Sequence, residues 1–163
     1  MNLNFRGFLW LVSGLTIFIL VGVAILTFQV VSNNSVSKEV VVEIGGSKIS
    51  ATLAESLGER EKGLAGRTFL GEYEGMLFRT EKPEPQVFWM RGMLIPIDII
   101  WIRDGVVIGT ETNALPPLAA SVDAALLRYS SPIAVDQVLE VPAGFVERHK
   151  ILTGDKVKIK TPE

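Results

Sequence analysis

The 163 residues are 48% hydrophobic, carry a formal net charge of −2, and include one histidine and no cysteine. Disulfides, thiolate metal sites, iron–sulfur clusters, thiol nucleophiles and histidine-rich metal centres are excluded by that inventory. The slightly acidic balance also argues against nucleic acid, whose phosphates are neutralised by clustered Lys and Arg.

The mean hydropathy of +0.35 is high for one domain because a single segment carries much of the excess. Residues 8–31 hold no charged side chain. As a helix they would be roughly 36 Å long, against a hydrocarbon thickness of about 30 Å. The expectation is an uncleaved, single-pass signal anchor, with a cleaved signal peptide and a buried soluble helix as the alternatives. Arg6 is the only ionisable side chain before Lys38. It places residues 1–7 in the cytoplasm and residues 38–163 outside, in the cell envelope, by the positive-inside rule. Residues 32–37 form a polar linker without helical or strand period.

The domain proper opens with a hairpin: valine-rich 39–44, a turn at Gly45-Gly46, then Ile49, Ala51 and Leu53 alternating with polar residues. Ser56 and Glu59 make a capping box that starts a short helix running to about Ala65. Residues 75–80 form a short strand, and Lys82-Pro83-Glu84-Pro85 breaks the chain. Extended structure resumes over 86–91, with Phe88 and Met90 on one face and Val87, Trp89 and Arg91 on the other.

Residues 97–103 and 106–112, joined by Asp104-Gly105, read as the clearest hairpin. Counting outwards from that turn sets Asp98 opposite Glu111. A carboxylate between Ile97 and Ile99 must lose its charge or find a partner, so Asp98 is expected to pair with Arg60 or Arg67. The other use of the Asp98–Glu111 pair is acid–base catalysis, in which repulsion raises one pKa. Residues 113–125 read as a long loop around Pro116-Pro117, closed by 129–132. A strand over 135–141 follows, then a short helix to about Lys150 with Pro142 in its first turn. His149 has no metal-spaced partner and reads as a surface or helix-end residue. Lysines alternating with apolar residues over 156–160 suit an edge strand.

This order of strands with two short helices implies an α+β domain on a mostly antiparallel, barrel-like sheet. Nucleophile elbow, phosphate loop, dinucleotide fingerprint and metal-ligand spacing are all missing, so no cofactor is expected.

Several blocks, in order, carry a resemblance: Arg60…Gly63-Leu64…Arg67, Gly75-Met76-Leu77-Phe78, Phe88-Trp89-Met90, Ile95-Pro96-Ile97-Asp98-Ile99, Val138-Leu139-Glu140 and Ala143-Gly144. Together they resemble the family called domain of unknown function 192, over about residues 39–160. The resemblance implies a small extracytoplasmic β-rich domain, often with an N-terminal signal or anchor, and no established activity. Two blocks depart from the family pattern: Ala65-Gly66 stands where Met is usual, and Gly92-Met93 where Asn-Thr is usual.

Three functions follow as expectations. The first is a membrane-tethered module that binds a small molecule or glycan in a cleft near Arg67, Trp89, Arg91, Asp98 and Tyr129. The second is a hydrolase or lyase using Asp98 and Glu111. The third is a docking domain for an envelope protein, with Arg60, Arg67 and Asp98 purely structural.

Overall fold

A computed structural model of the chain describes residues 38–117 and 127–161. The expected anchor, the linker and residues 118–125 of the expected loop lie outside the described residues. Among those described, no helix is long and apolar enough to cross a membrane.

The described residues form nine strands and two helices, in order: β1 (Glu39–Ile44), β2 (Ser47–Ala54), α1 (Leu57–Lys62), β3 (Glu74–Glu84), β4 (Val87–Trp89), β5 (Ile97–Arg103), β6 (Val106–Ala114), β7 (Arg128–Ser130), β8 (Val135–Pro142), α2 (Phe145–Arg148) and β9 (Lys158–Lys160). Seven strands form one mixed sheet in the order β6-β5-β8-β3-β2-β1-β9, and β4 with β7 makes a separate two-stranded ribbon. Every pairing is antiparallel except β2 with β3, which run parallel and are joined by a crossover that contains α1.

The sheet is therefore not the closed barrel expected from the sequence; β6 and β9 remain as its two edges. They approach at one end only. There Val106 bridges Lys156, and the Val107 and Val157 amides donate to Asp155 and Gly105 carbonyls. β9 is an edge strand, as its alternating lysines suggest.

Each face of the sheet carries its own core. One face gathers Leu77, Ile100, Ile102, Leu139 and Val141 with Val40, Val42, Phe145 and Val157. The other gathers Met76, Phe78, Ile97, Ile99, Trp101 and Val138 under Leu64, Leu70, Met90 and Met93. The continuous apolar run of β5 is explained by this sandwich, since a strand covered on both faces needs no polar alternation. Trp101 and Ile100 are both fully buried, although they point to opposite faces.

Three local expectations change. β3 does not end before Lys82 but continues through Pro83 to Glu84, with an irregular register after Arg79. Arg128 to Ser130, read as the close of a loop, is the strand that pairs with β4. Pro142 is the last residue of β8, and α2 begins only at Phe145, after a left-handed Gly144.

Candidate functional site

The hairpin β5–β6 shows why counting from a turn misplaced the central carboxylate. Ile102 does face Val107, but Trp101 faces Gly109, so Ile108 is an extra residue on β6. Below it Ile99 faces Glu111 and Ile97 faces Ala114, which leaves a second extra residue near Asn113. Glu111 thus shares a face with Ile99, and Asp98 points to the other face, opposite Val141 on β8. The Asp98–Glu111 dyad does not form.

Asp98 is fully buried, and its partners are backbone amides, in place of the expected Arg60 or Arg67. Its Oδ1 accepts from the Asn113 N–H at 2.8 Å, where the second bulge holds Asn113 at a positive φ of 55°. Its Oδ2 accepts from the Val146 N–H at 2.9 Å. That amide lies in the first turn of α2, whose N-cap, Gly144, has no side chain to offer. Asp98 is therefore a remote cap that ties β5 to β6 and α2.

Arg60 is engaged elsewhere: its Nη1 donates to the carbonyls of Glu55, at 2.7 Å, and Arg79, at 3.3 Å. Arg67 is exposed just beyond α1. His149 caps the end of α2, where its Nδ1 lies 2.9 Å from Ser47 Oγ. Its Nε2 is 3.5 Å from Glu72 and makes no hydrogen bond, while its ring packs on Phe145 at 4.2 Å. That contact clasps the β1–β2 turn to α2.

The second buried carboxyl is Glu140, on β8. Its cross-strand neighbours are Met76 and Ile99, neither of which offers a hydrogen bond. Oε2 is buried without any partner, and burial pushes the carboxyl up to about 8.

Glu140 lines a cleft of about 210 Å³ on this face of the sheet. Phe78, Phe88 and Trp89 supply its aromatic lining, and Arg60, Lys62 and Arg91 bring positive charge to it. Phe88 meets Phe78 edge to face at 4.9 Å and Trp101 at 5.7 Å. Trp89, half exposed, pairs across the ribbon with Arg128, whose guanidinium sits 5.4 Å from the indole ring centre. Of the ligand-binding candidates named from sequence, Trp89 and Arg91 line this cleft, and so does Arg60, named there only as a partner for Asp98. Tyr129 stands behind it, opposite Phe88 and packed on the core, while Asp98 belongs to the opposite face. Glu140 went unnamed because a polar residue between Leu139 and Val141 reads as the solvent-facing position of a half-buried strand. Only its cross-strand neighbours reveal that the position is covered. Among the described residues, no group of three or more Asp, Glu or His could hold a metal ion.

The pattern that defines the domain of unknown function 192 family, described as uncharacterised ACR, matches residues 40–159. None of the curated proteins is a match. A crystal structure from Novosphingobium aromaticivorans DSM 12444, of a protein of unknown function, is similar at 33% identity and a TM-score of 0.63, covering 74% of this chain and 83% of that one. Another, from Sinorhizobium meliloti 1021 and provisionally described as a transcription regulator, is similar at 28% identity and a TM-score of 0.64, covering 75% of this chain and 92% of that one.

Arg60, Gly63, Leu64, Phe78, Phe88, Trp89 and Glu140, all in the blocks that carry the family resemblance, meet at the cleft. The two departures from the pattern also meet. The Gly66 N–H donates to the Gly92 carbonyl at 2.9 Å, and a Cβ on Gly92 would lie 3.2 Å from that of Ala65. A small residue on one segment thus accompanies a small residue on the other.

Proposed function

We propose, on the premise that this chain belongs to the domain of unknown function 192 family, that it is a membrane-tethered module of the cell envelope which binds a small polar ligand in the Glu140 cleft. The tether rests on the uncharged run 8–31 and on Arg6 before it. One observation carries the binding site: a buried carboxyl oxygen without a partner faces an aromatic-lined cleft. Such an atom costs on the order of 1–3 kcal/mol, and a ligand that hydrogen-bonds to it removes that cost.

Catalysis by Asp98 with Glu111 is not part of this reading, because the two side chains occupy opposite faces of the sheet. Regulation of transcription, the provisional role of the Sinorhizobium meliloti protein, is also less favoured. A net charge of −2 is the opposite of what phosphate neutralisation needs.

The test is calorimetric titration of the full chain in detergent micelles with methyl glycosides, small hydroxy acids and small amines. At least one class should bind saturably, and Trp89→Ala should weaken it by about tenfold with the melting temperature retained. Binding that ignores both Trp89→Ala and Arg91→Ala would place the site elsewhere. Silence in all classes, with one envelope protein co-purifying, would favour the docking domain. The tether is tested separately: the full chain should resist carbonate extraction from membranes, and removal of residues 1–37 should release it.

A further inference from the structure

Resting on that cleft as the ligand site, we infer that its ligand is a small zwitterion, with an ammonium group on the Glu140 carboxyl beside the aromatic rings and an anionic group at Arg60 and Lys62. Met76 and Phe78 on β3 and Ile99 on β5 are apolar neighbours of Glu140. The charged groups of the cleft are Arg60, Glu61 and Lys62 of α1 and Arg91 beyond β4, and no hydrogen bond links any of them to the carboxyl. A site that received only a hydroxyl could use an amide at position 140. A carboxyl adds the capacity to become an anion, and since none of the cations lining the cleft hydrogen-bonds to it, the position beside its oxygen is open to a ligand's ammonium group.

The aromatic walls favour such a cation. Phe78, Phe88 and Trp89 line the same cleft, and ring faces attract ammonium groups most strongly where water is excluded. Arg60 and Lys62 select the rest of the ligand. Arg60 is fixed by the Glu55 and Arg79 carbonyls, so its charge is held in position. A simple cation would be repelled there, and a simple anion would leave the carboxyl's capacity to pair with a cation unused. A zwitterion satisfies both. The cleft's 210 Å³ suits a compact ligand.

The proton balance is fixed by the same geometry. Because burial holds the empty carboxyl protonated below about pH 8, an ammonium ligand displaces the carboxyl proton to the buffer and leaves a carboxylate–ammonium pair. A hydroxyl in the same place leaves the Glu140 proton where it is, so any proton released then comes from the ligand's phosphate alone.

Calorimetry of the full chain in micelles at pH 6.5, in two buffers of different ionisation heat, tests this with three probes. Phosphoethanolamine carries both groups, glycerol 3-phosphate replaces the ammonium by a hydroxyl, and choline lacks the anion. Phosphoethanolamine should bind at least about tenfold more tightly than either of the others and release close to one proton beyond any from its phosphate. Glu140→Gln should keep the melting temperature at that pH, lose about tenfold in affinity for phosphoethanolamine and release no proton beyond any from the phosphate. Equal binding of glycerol 3-phosphate, or unchanged phosphoethanolamine binding in Glu140→Gln, would overturn the zwitterion and leave the cleft standing if Trp89→Ala still weakens binding. Insensitivity to both substitutions would overturn the cleft as well. Competition by phosphatidylethanolamine vesicles separates the sources: displacement of the soluble probe supports a lipid headgroup, and its absence supports a free compound.

Discussion

Two buried carboxyls on opposite faces of one sheet meet burial in opposite ways. Asp98 is satisfied by two backbone amides, so replacing one oxygen by an NH₂ group sets donor against donor. Asp98→Asn should therefore lose about 1–3 kcal/mol, read as a lower urea midpoint of the full chain. Glu140 has no such partners, and its contribution to stability changes with pH. Unfolded, it ionises near 4.5, and folded near 8, so between those values the native chain holds the extra proton. Stability from this group is complete below about pH 4.5 and declines as pH rises towards 8, at on the order of 1 kcal/mol per pH unit. Urea midpoints at pH 5, 6.5 and 8 should show that decline in the wild type, and a flatter profile with a higher midpoint at pH 8 in Glu140→Gln.

At the scale of elements, β3 must lie close to β8 for the cleft to have a floor. Gly75 makes this approach possible, since a Cβ there would sit 2.6 Å from the Glu140 carbonyl oxygen, a backbone atom that cannot swing aside. Gly75→Ala should cost about 1–3 kcal/mol in thermal or urea unfolding and also weaken ligand binding, because it pushes β8 out of register with the cleft. What was legible in the sequence at this scale was local. Gly45-Gly46 and Asp104-Gly105 specify their turns, and Ser56 with Glu59 specifies the start of α1, where both hydrogen bonds of the capping box are formed. The alternation of Val87 to Arg91 likewise shows which side is buried. The bulges at Ile108 and near Asn113 were not legible, because one extra residue changes no hydrophobic pattern yet reverses which face a partner occupies. Glu140 was hidden for a related reason. Its burial depends on segments from α1 and β4 that are remote in sequence.

For the whole molecule, protection should follow position in the sheet. β5 and β8 are interior strands paired on both sides, and β5 is almost wholly buried, whereas β4 and β7 pair through three residues each. Hydrogen exchange of the full chain should be slowest in β5 and β8 and fastest in the β4–β7 ribbon, and ligand should slow the ribbon most, since Val87, Phe88 and Trp89 line the cleft. The position of β8 has a consequence for synthesis. It lies between β5 and β3, both made earlier, so a growing chain that has not reached Val135 carries two unpaired strand edges meant for the same absent neighbour. Such edges invite pairing with other chains until the last fifth of the sequence arrives, so a holding chaperone supplied during synthesis should raise the yield of folded protein. The same gap makes the molecule divisible: a fragment ending before Val135 and a second one supplying β8 should find each other and rebuild the cleft between them.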